Sequence, residues 1–316
     1  MKEYLAAALL SFALSFILCL AEIPLLRRMK AGQNILGYVK EHKGKSGTPT
    51  MGGLAFLLSA SVICLLFHGF SDKPLYVSVA IGLGFMLVGF LDDFMKLRHK
   101  ENLGLTAWQK IIFQTAVALS ASLYCYFDGL TTVFVPFTDF AFDVGWGIIP
   151  LGVFVFLAAV NSVNLTDGLD GLAGNSAAAY FLSMGLIISL QSRFAAVAGL
   201  CFCLTAALAA YLVFNTNRAS VFMGDTGSLG LGGFAACVGI FTGNLLYIAV
   251  VGFVFVLSSI TVIVQVIYYK KTGKRVFLMA PVHHHFQEKG YSEGKISYCY
   301  GLITMLLGAL CLFALL

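Results

Sequence analysis

The sequence predicts an all-α, polytopic integral membrane protein with ten transmembrane helices and both termini extracytoplasmic. Three observations lead there. Of 316 residues, 59% are hydrophobic and 11% charged, whereas soluble domains carry about 25% charged residues. The apolar residues gather into runs close to the roughly 20 residues a helix needs to cross hydrocarbon. The basic residues fall almost entirely on one side of those runs.

The first run, 4–21, follows Lys2 as a secretion signal would, but no A-x-A cleavage pattern follows it, so it reads as a first span. Further runs occupy 51–71, 75–91, 108–127, 145–163, 174–192 and 194–214. The 75–91 run is short and is expected to continue past Asp92 and Asp93. The uncharged stretch 226–269 is too long for one helix, and Thr242-Gly243-Asn244 supplies a turn, giving spans at 226–242 and 245–269. The tenth run is 296–316. Long solid apolar runs exclude the weak alternation of a membrane β-barrel.

All Lys and Arg except Lys2, Lys73 and Arg193 follow odd-numbered spans. The positive-inside rule makes those loops cytoplasmic, and an even span count then places both termini outside. The polar stretches 27–50 and 270–295 are too short for a second folded core, so residues 1–316 form one transmembrane domain. The eight cysteines lie in apolar runs without metal-type spacing and read as small buried hydrophobes.

The unusual polar residues come from five cytoplasmic loops, which points to one composite site at the inner membrane surface. Asp92-Asp93 ends an apolar span. Adjacent carboxylates repel, and a divalent cation or a cationic substrate group removes the conflict; a solvated helix end balanced by Lys96 and Arg98 is the plain alternative. In "NSVNLTDGLDGLAGN" (161–175), Asn161, Asn164, Asp167 and Asp170 recur every three residues, beside glycines at the same interval. On a helix they share one broad face and suit a nucleobase and ribose. "FMGDTGSLGLGG" sets Asp225 at a glycine-rich helix start, where it can hold a cation that holds phosphate. His283-His284-His285 cannot converge on one zinc in a regular helix or strand, and fits phosphate oxygens better. Lys45 and Thr50 in "KSGTPTMGG" suit phosphate contact, although positive-inside anchoring also explains the lysine.

Together, "GTPTMGG", "LDD", "NLTDGLDGLAG", "FMGDTGSL" and "APVHHHF", in order from residue 47 to 286, resemble the polyprenyl-phosphate N-acetylhexosamine-1-phosphate transferases. The unbroken "HHHF" resembles their muramoyl branch. The resemblance implies a bacterial cytoplasmic-membrane enzyme that uses Mg2+, with its site on the cytoplasmic face. It would transfer phospho-N-acetylmuramoyl-pentapeptide from UDP-N-acetylmuramoyl-pentapeptide to undecaprenyl phosphate and release UMP.

It further implies Asp225 as the Mg2+ ligand, with Asp92 and Asp93 at the lipid phosphate. Asp92 removes a proton there; a covalent aspartyl-phosphate route is the alternative. Lys45, His283, His284 and His285 contact the pyrophosphate, with His284 counted among the catalytic groups. Asn164, Asp167 and Asp170 hold uridine and sugar, Phe222 stacks on uracil, and Asn215 assists near the phosphates. Lys110 is a weaker candidate, since "WQK" also suits an interfacial anchor. Substrates and lipid bilayer are the expected partners, nucleic acid is not, and a homodimer stays open. A sibling enzyme using UDP-N-acetylglucosamine and a transporter are the rival readings; the ionisable residues sit near span ends rather than mid-bilayer, which disfavours the transporter.

Overall fold

In the computed structural model, residues 2–29, 47–69, 71–99, 104–216 and 218–316 are described. They form a helical bundle: α1 (Lys2–Arg28), α2 (Gly53–His68), α3 (Lys73–His99), α4 (Ala107–Phe127), α5 (Ile148–Thr166), α6 (Leu172–Gln191), α7 (Ala195–Asn215), α8 (Gly224–Phe241), α9 (Leu245–Val251), α10 (Phe253–Thr272), α11 (Val282–Glu288) and α12 (Glu293–Phe313).

Eight of these are long and apolar enough to cross a membrane: α1, α3, α4, α5 with the turn preceding it, α6, α7, α10 and α12. The runs 51–71 and 226–242 fold as the shorter α2 and the glycine-rich α8. The run 245–269 departs from a single helix. It breaks at Gly252 into α9 and α10. The short 75–91 run does continue, because α3 carries Asp92 and Asp93 within its length and ends at His99.

Among the described residues, one paired element is not helical. Thr132–Phe134 (β1) and Ala141–Asp143 (β2) pair antiparallel between α4 and α5. "TVF" and "AFD" are rich in β-branched and aromatic residues, which suit a half-buried pleated pair. Of the eight cysteines, Cys299 is exposed and the others are buried.

The bundle is organised around α8, in which every residue from Thr226 to Phe241 is buried. It packs most extensively on α3, and also on α5 and α2. Hydroxyl-to-carbonyl bonds tie other helices across the apolar interior, where an unmet donor is costly: Ser11 and Ser15 of α1 donate to Cys203 and Ala207 of α7 (both 2.9 Å), and Tyr180 of α6 donates to Ala235 of α8 (3.1 Å). At one end of the bundle Lys73 pairs with Asp128, which also accepts from Tyr124. At the other, Thr106 and Gln109 close a capping box at the start of α4, worth on the order of 1 kcal/mol.

Gly89 marks the tightest α3–α8 contact, for a side chain there would overlap the backbone of Asp225. Gly89→Ala is expected to separate the two helices, cost roughly 1–3 kcal/mol as overpacked cores do, and lower the unfolding temperature of the detergent-solubilised protein. An unchanged melting curve would show that the contact is looser than described.

Candidate active site

The end of α3, the start of α4, the end of α5 and the start of α8 meet at one end of the bundle. Asp92 and Asp93 face inward from α3 and are 2% and 0% exposed. They are not the solvated helix end that the sequence also allowed. The loop at 104–106 and the start of α8 cover them, and the amides of Leu105 and Thr226 supply bonds that water would otherwise provide.

Asp92, Asp93 and Asp225 lie close enough for one oxygen of each to fall within 4.8 Å of the others. Each carboxylate divides its two oxygens in the same way. Asp92 Oδ1 accepts from the Leu105 amide (2.8 Å). Asp93 Oδ2 accepts from the amide and hydroxyl of Thr226 (2.9 and 2.7 Å), at the first turn of α8. Asp225 Oδ1 accepts from Asn164 Nδ2 (2.7 Å), whose amide also reaches Ser228 (2.8 Å).

The second oxygens turn toward two lysines. Lys96 Nζ stands 2.5 Å from Asp92 Oδ2, 2.9 Å from Asp225 Oδ2 and 3.8 Å from Asp93 Oδ1. Lys110 Nζ adds a 2.7 Å contact to Asp225 Oδ2. Asp92 Oδ2 and Asp93 Oδ1 are buried without a well-aligned hydrogen bond. Hard oxygen ligands left over after bracing, two of the carboxylates buried and Asp225 half-buried, could hold a divalent metal ion together with substrate phosphates. Thr50 Oγ1 is also buried without a hydrogen-bond partner. It faces Gly224, whose φ of +68° and whose Cβ direction, blocked by Asp93 and Thr50, both require glycine.

The row of four expected on one helix face is divided, because α5 ends at Thr166 and Gly171 adopts a left-handed φ of 72°. Asn161 turns to Gln114 of α4 (2.9 Å). Asn164 joins the carboxylates. Asp167 is half-buried, and its withdrawal from water, with the charges of Asp225, Asp93 and Asp170 nearby, pushes it up to about 8. Asp170 is buried and accepts from the amides of Arg218 (3.2 Å) and Ala219 (2.9 Å). Its own amide donates to Glu293 (2.9 Å). Asn215 accepts from Gly171 N–H and donates to Val221 O. Asp170 and Asn215 thus hold the loop that presents Asp167.

The three histidines separate as well. His283 is fully buried, and burial together with His284 lowers it to about 3, so it is neutral at physiological pH. The Nε2 atoms of His283 and His284 both lie against Gly168, beside Asp167. His284 Nδ1 pairs with Gln287 at 2.9 Å. His285 instead accepts from the Leu278 amide (3.1 Å) and packs on Phe277, serving its own segment. Phe222 is half-buried, its backbone fixed by Pro49 O and Gly52 N–H. Lys45 lies outside the described residues.

Sequence reasoning gave Lys96 only the role of a balancing charge and Lys110 a weak one; their spacing to Asp225 across 129 and 115 residues is invisible in one dimension. Gln287 and Glu293 stand among other polar residues of 270–295, and nothing in their spacing marks them.

The chain matches the glycosyl transferase family 4 profile over residues 75–243, and residues 45–57 match the phospho-N-acetylmuramoyl-pentapeptide-transferase signature 1. It is 41% identical over 305 residues to the phospho-N-acetylmuramoyl-pentapeptide-transferase of Clostridium botulinum (strain Eklund 17B / Type B), covering 96% of this chain and 94% of the relative. The protein of the same name from Bacillus pumilus (strain SAFR-032) is 40% identical over 307 residues, with 96% and 94% covered. That of Bacillus thuringiensis (strain Al Hakam) is 41% identical over 313 residues, with 97% and 96% covered.

The raised carboxyl of Asp167 has a consequence for stability. Its folded value of about 8 lies above the unfolded one of about 3.9, so its contribution is complete below about pH 4 and is lost as pH rises through 8. Asp167→Asn is therefore expected to raise the melting temperature at pH 9 and to leave it nearly unchanged at pH 4. Equal shifts at both pH values would refute the assignment.

Proposed function

Because the chain belongs to the phospho-N-acetylmuramoyl-pentapeptide-transferases of glycosyl transferase family 4, we propose that it transfers phospho-N-acetylmuramoyl-pentapeptide from its UDP-activated form to undecaprenyl phosphate. The products are lipid I and UMP, the cofactor is Mg2+, and the step belongs to peptidoglycan synthesis. The observation that carries this reading is the division of labour in the carboxylate trio. One oxygen of each is braced and the other is turned to a shared cation position beside two lysines.

Attack of a phosphate on a pyrophosphate gathers several negative charges. Mg2+, when bound, supplies neutralisation and Lewis-acid polarisation there. Asp225, with Asp92 and Asp93 around it, would hold the ion. Asp92 would act on the lipid phosphate, orienting it and taking its proton. Lys96 and Lys110 offset negative charge from the protein side. Asn164, Asp167 and the ring of Phe222 would receive the uridine and adjoining sugar, on a loop shaped by Asp170 and Asn215. The Nε2 atoms of His283 and His284 would meet phosphate oxygens, with His285 steadying their segment, and Thr50 and Lys45 would complete the phosphate side.

The distribution of Lys and Arg supports ten spans in the bacterial cytoplasmic membrane, termini outside and the site facing the cytoplasm. On that side the sugar nucleotide is soluble, while the lipid phosphate approaches from the inner leaflet.

Purified protein given Mg2+, polyprenyl phosphate and either UDP-N-acetylmuramoyl-pentapeptide or UDP-N-acetylglucosamine is expected to release UMP with the muramoyl substrate alone. Turnover of the glucosamine substrate in its place would assign the sibling reaction. Asp225→Asn is expected to fold and to lose activity by about 10³-fold, the scale of several kcal/mol of transition-state stabilisation. For orientation, Thr138→Cys and Gly273→Cys in a Cys299→Ser background are to be labelled with a membrane-impermeant maleimide in intact cells. Thr138→Cys is expected to react and Gly273→Cys to be protected; the reverse pattern would invert the topology.

A further inference from the structure

Lys96 stands on the same helix as Asp92 and Asp93, four and three residues on, so its stem lies on their face of α3. Its ammonium is within ion-pair reach of the inward oxygens of all three carboxylates, at 2.5, 3.8 and 2.9 Å. Lys110 reaches only one of them, Asp225 Oδ2. The remaining oxygens are committed to Leu105, Thr226 and Asn164, so the trio has a single place at which to bind any cation.

An ion coordinated by those oxygens would draw them to about 2.0–2.1 Å, a distance that leaves no room for an ammonium among them. Two cations cannot share the position. The Lys96 side chain is 29% exposed, and its four-carbon stem gives it a path outward. Three carboxylates against two ammoniums leave one net negative charge. Adding a divalent ion reverses the sign and leaves the expelled ammonium without a counter-ion until an anion arrives.

Resting on the divalent-cation reading above, we propose that Lys96 is a built-in competitor for the metal position. It holds the three carboxylates together, is displaced when a divalent ion binds, and is thereby released to meet a phosphate anion. Metal and anion then bind with positive coupling, and linkage requires the coupling to be reciprocal.

Mn2+ binding to the full-length protein in detergent, read from the free-ion electron paramagnetic resonance signal, tests this without any turnover. Lys96→Met is expected to bind Mn2+ on the order of tenfold more tightly than wild type, as removal of one partly buried competing charge would give. Lys96→Gln should tighten it in the same direction, and Lys96→Arg should stay near wild type. In wild type, inorganic pyrophosphate, corrected for the Mn2+ it complexes in matched detergent without protein, should tighten Mn2+ binding several-fold, and in Lys96→Met that gain should shrink. Mn2+ binding that depends on Asp225 but is unchanged or weakened in Lys96→Met and Lys96→Gln overturns the proposal alone. No binding sensitive to Asp225→Asn in any of the proteins overturns the divalent-cation reading and the proposal with it. Should neither neutral variant fold, absence of pyrophosphate coupling in wild type overturns the proposal.

Discussion

Three carboxylates crowded at one end of a membrane bundle are the constraint around which the rest is arranged. Unit charges within 4.8 Å of one another repel by roughly 3 kcal/mol or more at an effective dielectric of about 20. The two pairs that join α3 to α8, Asp92 with Asp225 and Asp93 with Asp225, would drive those helices apart unless each charge were met. The meeting groups come from four elements: the Leu105 amide ahead of α4, Asn164 of α5, Thr226 of α8 and Lys96 of α3. Satisfying the charges therefore fixes the mutual positions of the helices that carry them. It also explains why a glycine lies where α3 touches α8 and another where the chain enters α8.

Around this centre lies a set of polar residues that hold backbone amides and carbonyls. Asp170, Asn215 and Glu293 join the loop after α5 to the loop after α7 and to the start of α12. Buried polar groups are expensive unless paired, so this set is rigid once formed. Asp167, which shares the loop, is left out of that pairing and keeps a raised carboxyl among its neighbours.

Much of the architecture was legible in the sequence because a bilayer leaves few choices. Apolar runs become helices, since only helices satisfy their own backbone in lipid. The short 75–91 run could be extended to include Asp92 and Asp93 for the same reason. The break at Gly252 was not legible, because an unbroken apolar stretch reads alike whether straight or kinked. At the site, residue type was informative and direction was not. Asp92, Asp93, Asp225 and Asn164 could be singled out as unusual, and they do meet. The three-residue spacing of Asn161, Asn164, Asp167 and Asp170 implied one face, but the helix stops at Thr166 and the four go separate ways. The adjacent histidines likewise looked equivalent, until the segment folded and buried His283 while turning His285 away.

The segment bearing the histidines is hydrogen-bonded to α10 and packs on α12 as well. Thr261 accepts from the Val282 amide, and Gln265 binds Val276 and Phe277 through both ends of its amide. α10 itself has a largely exposed apolar surface from Ile260 to Tyr269 and begins at the Gly252 break. The histidines thus belong to the α10 and α12 side of the bundle, while the carboxylates belong to α3 and α8. The loop at 167–171, with Gly168 against both rings and Asp167 beside it, is the bridge between those two halves of the site.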